Sequence, residues 1–94
     1  MATTGGMTRE RAELIAAQAL QFLAGDEGRL ARFLGLTGID GGAIRDHVGE
    51  PVFLAGVLDY LLADESLLLE WVESSGLAPE EPGLARAALA DCIA

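Results

Sequence analysis

The sequence predicts an all-α fold, a compact bundle of five or six short helices. Three observations lead there. Leu and Ala each occur sixteen times among 94 residues, while aromatic side chains make up only 5%, a composition that favours helices over strands. Apolar residues recur at three- and four-residue spacing in successive segments bounded by capping and turn residues, the pattern of amphipathic helices. Finally, one pattern occurs twice, thirty-eight residues apart: residues 17–39 and 55–77 align without a gap and agree at seven of 23 positions.

Taken in chain order, Thr8 is placed to cap a first helix, with Glu10 in the first turn. Its apolar face is Ala12, Ile15, Ala16, Ala19, Phe22 and Leu23, and Gly25 ends it. Asp26 caps a second helix with Leu30, Phe33 and Leu34 inward, and Gly38 is its left-handed stop. Asp40 caps a short third helix through Ile44 and Val48, weakened by Gly41 and Gly42. Gly49 and Pro51 separate the halves, and Pro51 suits the first position of a fourth helix, whose stripe is Leu54, Val57, Leu58 and Leu61. Asp64 caps a fifth helix facing inward with Leu68, Trp71 and Val72, closed by Gly76. Pro79, Glu80 and Glu81 are expected to open a sixth, with Pro82 still in the first turn and Leu84, Ala88 and Cys92 facing inward.

The expected organisation is a flexible leader over residues 1–7 and a single helical domain over 8–94, with repeat-like halves 8–49 and 50–94. The repeated pattern matches at Ala17/Ala55, Leu20/Leu58, Leu23/Leu61, Asp26/Asp64, Glu27/Glu65, Leu30/Leu68 and Gly38/Gly76. These are apolar, capping and turn positions, so they speak to architecture. Two origins stay open: duplication of a helical hairpin, or coincidence within a chain rich in Leu and Ala.

All six basic residues are Arg, against fifteen carboxylates, for a net charge of −9. Residues 1–47 carry five Arg and six acids, a net −1; residues 48–94 carry one Arg and nine acids, a net −8. Such a surface repels phosphate backbones, so nucleic-acid binding is not expected. Thr37 to Arg45 superficially looks like the turn and recognition helix of a helix-turn-helix, yet Arg45 would be its sole donor for bases or phosphates. The charge keeps an apolar, Lys-free chain dispersed, and it could also present an acidic face to a basic partner.

Val52 to Val72 is long enough to span a bilayer, but Asp59, Asp64, Glu65 and Glu70 interrupt it, each costing about 3 kcal/mol near the bilayer centre. No membrane partner is expected. Met1 to Met7 lacks the basic and apolar regions of a signal peptide, and Cys92, the one cysteine, suits a reducing compartment. The expected location is the cytoplasm.

The paired acids Asp26-Glu27 and Asp64-Glu65 are the most tempting candidate site, since convergence of four carboxylates could hold Mg²⁺ or Ca²⁺. The simpler reading makes each Asp a helix cap and each Glu a first-turn acid. His47 could do acid–base work with Asp46 or Glu50, or form an ordinary i,i+3 surface pair. A lone His without Cys partners makes no usual zinc site. Cys92 near a helix C-terminus is not activated, because the dipole there opposes a thiolate. Tyr60 and Trp71 sit on apolar stripes, as core aromatics do. Phosphate loops, Walker motifs, nucleophile elbows and paired-Cys motifs are absent from the sequence. No catalytic residue, metal ligand or cofactor is assigned.

The runs Ala19-Leu-Gln-Phe-Leu-Ala, Leu30-Ala-Arg-Phe-Leu-Gly-Leu-Thr-Gly and Phe53-Leu-Ala-Gly-Val-Leu-Asp-Tyr-Leu-Leu-Ala-Asp-Glu-Ser-Leu-Leu-Leu resemble the short bacterial proteins grouped as domain-of-unknown-function family 3572. The resemblance extends from about Arg9 to Ala90, and Phe53 to Glu65 is its most specific part. It implies a bacterial, cytoplasmic, stand-alone helical domain, and it carries over no site residues.

Two functional readings follow. One is a small acidic interaction module that binds a protein partner, basic in character, or itself, through Leu62, Leu67, Leu69, Glu70 and Glu73. These residues lie off the main stripes and would form an exposed patch. The alternative is a metal-dependent or acid–base enzyme that uses the Asp-Glu turns or His47.

Overall fold

A computed structural model describes residues 7–93. Of the expected leader only Met7 falls in that range, and it packs against the core; residues 1–6 lie outside it. Six α-helices form: α1 (Arg9–Ala24), α2 (Glu27–Thr37), α3 (Ile44–His47), α4 (Pro51–Leu62), α5 (Glu65–Ser75) and α6 (Glu81–Ile93), with a 3₁₀ turn, η1 (Gly41–Ala43), leading into α3. The described residues contain no strand, and the expected all-α bundle is what is found.

The helix ends follow the sequence chemistry closely. The Thr8 side chain accepts from the Arg11 N–H at 3.0 Å, Asp26 from Arg29 N–H at 3.0 Å, and Asp64 from Leu67 N–H at 3.2 Å. Each satisfies one of the amides a helix leaves unpaired at its start. Gly38 and Gly76 stop α2 and α5 in the left-handed region, at φ 75° and 76°. Their N–H groups donate to the Leu34 and Val72 carbonyls, the bond that closes an αL-terminated helix.

Helix α6 starts later than Pro79. The Ala78 carbonyl would accept from residue 82 in a regular helix, but Pro82 has no N–H. Glu81 N–H donates to Ala78 instead, at 3.0 Å, a tighter 3₁₀-type turn. The Glu81 carboxylate reaches back to the Ala78 N–H at 2.9 Å, so the acid caps the turn that the proline forces.

Helices α1, α4 and α6 pack pairwise as the central trio, α2 leans on α1, and α5 leans on α4. Ala12, Ala16 and Ala19 of α1 and Ala85 of α6 are fully buried, small side chains that let helix axes approach closely. Ile15, Leu23, Val57, Leu58, Leu61 and Leu89 fill the centre, and Phe33 and Trp71 anchor α2 and α5 to it. The ring of Phe33 meets Tyr60 edge-on, with centroids 5.1 Å apart, a favoured aromatic geometry.

The buried face of α6 is Pro82, Ala85 and Leu89, while Leu84, Ala88 and Cys92 are half-buried at its flank. The expected stripe was therefore out of phase. Leu84 to Ala90 is apolar on nearly every side except Arg86, so its periodicity does not choose a face.

The molecule measures 41 × 28 × 17 Å along its principal axes, about two helix layers in its thinnest direction. Outer faces of α2 and α5 consequently remain in solvent. Helices α1 and α4 end at Ala24 and Leu62, α2 and α5 at Thr37 and Ser75, all at the same thirty-eight-residue offset. The third elements differ: η1 and α3 form a short surface turn, whereas α6 is a thirteen-residue core helix.

Candidate functional site

The Asp-Glu turns are helix starts. Asp26 and Asp64 spend a carboxylate oxygen on their own helix's N–H, and Glu27 and Glu65 occupy the first turns, where the dipole favours an acid. Among the described residues, no three His, Cys, Asp or Glu side chains are grouped to hold a metal ion. The four-carboxylate convergence is not formed. Asp64 and Glu65 instead border an open depression of about 390 Å³ with Arg32, Leu36 and Tyr60, without the first pair.

His47 Nδ1 lies 3.0 Å from Glu50 Oε1, and both side chains are substantially exposed. The imidazole also stands 6.2 Å from the Phe53 ring, tilted by 32°. The pair faces an open groove of about 340 Å³, lined with almost wholly apolar surface by Thr37, Ile39, His47, Glu50, Val52, Phe53 and Gly56. Thr37 is the hydroxyl in this groove, and it donates to the Phe33 carbonyl at 2.7 Å. It is therefore a helix-end hydrogen bond and not a nucleophile primed by His47. Cys92 Sγ contacts the Ala88 carbonyl at 3.6 Å along its own helix.

The residues expected to form an exposed patch divide into two groups. Leu62 and Leu67 are half-buried against the core. Leu69 is 50% exposed, and Glu70 and Glu73 are exposed beside it on α5. Glu65, Leu69 and Glu73 stand one turn apart on one stripe of that helix, which sets an apolar side chain between two acids.

Charge pairing sharpens this acidity. Arg9 pairs with Glu13, Arg11 with Glu81, Arg29 with Glu70 and Arg86 with Asp59. The guanidinium of Arg29 also covers the Phe22 ring at 4.2 Å. The Asp59 carboxylate raises the Arg86 pKa through a 2.6 Å hydrogen bond. Glu81 is held below the usual carboxylate range by its Arg11 hydrogen bond first and the Ala78 N–H second. Most basic groups are thus tied to intramolecular partners, while Glu65 and Glu73 form no ion pair among the described residues.

The apolar groove was not recognised in the sequence. Its signals were Val52, on the side of α4 away from the Leu54, Val57, Leu58 and Leu61 stripe, and Gly56 one turn further on. Neither fits an inward face, and neither spells a motif.

A family model described as a protein of unknown function (DUF3572) matches residues 9–92. No curated protein and no solved structure matches the chain. Among the described residues, no helix is long and apolar enough to cross a membrane.

Proposed function

We propose that this chain, which belongs to the DUF3572 family, is a small acidic interaction module that captures a basic protein partner on the outer face of α5. The observation that carries this reading is Leu69, 50% exposed between Glu65 and Glu73. An aliphatic side chain ringed by carboxylates is a fit for a partner segment mixing Lys or Arg with an apolar contact. Glu70 belongs to the same face and already holds one guanidinium, that of Arg29. Leu62 and Leu67, half-buried against the core, are not part of the proposed surface. Self-association through this face is disfavoured by bringing two −9 chains together. The single Cys92 suits a reducing compartment, the cytoplasm in this reading. The recurring helix ends fit an ancestral duplication whose third elements diverged.

The test is affinity capture from native lysate, at low and high salt, with wild type and with Leu69→Ser/Glu73→Lys. The same basic protein should be retained by wild type at low salt, released at high salt, and missed by the variant. A strict monomer in light scattering that captures nothing at either ionic strength would refute the module. Equal capture by the variant would refute the face.

A further inference from the structure

The groove beside α3 lies on residues separate from the α5 face. We propose that it docks an apolar side chain presented by a basic amphipathic helix of a partner protein. The inference rests on the reading of the chain as an interaction module but uses a different surface.

Three features select that occupant. Ile39, Val52, Phe53 and Gly56 line an open groove of about 340 Å³ whose surface is almost wholly apolar, space that admits an aliphatic or aromatic side chain. Val52 in the lining is 64% exposed, and beyond the lining residues Val48 is 41% exposed. A small molecule filling the groove would leave Val48 in water, whereas a helix lying across it would cover both. The ionisable groups lining the groove are the Glu50 carboxylate and His47. With a net charge of −9 on the whole chain, the complementary flanks on a partner are Lys or Arg, and a second copy of this chain would be repelled.

Gly56 points the same way independently. It lies inside α4, where Gly costs about 1 kcal/mol relative to Ala. A Cβ built there would meet nothing within 4 Å, so no packing inside the chain requires the glycine. The missing side chain opens α4 to close approach from outside, as small residues do where helices cross.

The probe is a dye-labelled synthetic helix of Leu and Lys with its Leu residues on one face, compared with a Leu→Ser counterpart of equal charge. Binding is read by fluorescence anisotropy, and its location by amide shifts in NMR spectra. The Leu-bearing probe should shift Ile39, Val52, Phe53 and Gly56 amides and bind about tenfold or more tighter than the Ser probe, the scale set by burying one aliphatic side chain. Gly56→Phe, which fills the groove, should weaken it by about the same factor. Val52→Ser, at an exposed position that the fold does not need, should weaken it too and serves if Gly56→Phe fails to fold. Equal binding of the two probes, shifts confined to α5, or wild-type affinity in Val52→Ser would overturn the groove assignment. A dimer broken by Val52→Ser would overturn it in favour of a second copy. Loss of binding in Leu69→Ser/Glu73→Lys with none in Val52→Ser would leave the module standing and the groove refuted; loss in Val52→Ser alone would support the groove, and the α5 face is then decided by the capture experiment.

Discussion

Replacing glycine by alanine at three positions should give opposite results, and the structure sets both sign and size. At Gly38 and Gly76 the backbone sits at φ 75° and 76°, and a Cβ would meet no atom within 4 Å. Steric fit therefore plays no part, and the cost is that of holding an L-residue in the left-handed region, about 1–2 kcal/mol. Alanine's lower unfolded-state entropy offsets a fraction of this, leaving a loss of about 1 kcal/mol at either site. At Gly56 the surroundings are equally open, but the backbone is ordinary helix. Only the propensity and entropy terms remain, and they favour alanine by about 0.5–1 kcal/mol. For a domain of this size each kcal/mol moves the melting temperature by about 4–8 °C. Thermal melts followed by far-ultraviolet circular dichroism should place Gly38→Ala and Gly76→Ala below wild type by similar amounts, and Gly56→Ala above it. If Gly56→Ala melts as low as Gly38→Ala, the reasoning from backbone conformation is wrong. A large inequality between Gly38→Ala and Gly76→Ala would also refute it, since their environments match.

Asp26→Ala and Asp64→Ala should each cost about 1 kcal/mol, as loss of an N-cap does. Millimolar Mg²⁺, Ca²⁺ or Mn²⁺ should leave the wild-type melt unmoved; a rise in wild type that both variants abolish would restore the carboxylates as a metal site. Glu81 has a pKa lowered by Arg11 and the Ala78 N–H, so its stabilising contribution is present above the ordinary carboxylate value and is lost as pH falls through the folded one. Urea midpoints of wild type and Glu81→Gln should accordingly differ near neutrality and converge in acid. A gap that persists in acid would show that ionisation of Glu81 contributes nothing.

Legibility in the sequence followed the range of the forces involved. Thr8, Asp26, Asp64, Gly38 and Gly76 each act on backbone within four residues, and all five perform the expected local task. The buried face of α1 was equally readable, because polar residues separate its apolar ones and so define a phase; α4 carries one charged residue, Asp59, and buries Phe53 and Ala55 besides the expected stripe. In α6 that contrast is missing, and the choice of Ala85 and Leu89 over Leu84 and Ala88 was made by the combined surface of α1 and α4. The candidate site was less legible. Leu62, Leu67 and Leu69 look alike in sequence, yet packing holds the first two against the core and leaves the third in solvent.

By itself, then, the sequence determined the helices, their caps and stops, and a carboxylate excess that no local arrangement can neutralise. These depend on neighbouring residues and on composition. Only the tertiary structure decided which apolar side chains stay exposed, which Arg are tied to which acids, and that Thr37, Ile39, His47 and Phe53 border one groove. Each of those outcomes depends on segments distant along the chain meeting in space, and that meeting is fixed by the mutual fit of α1, α4 and α6.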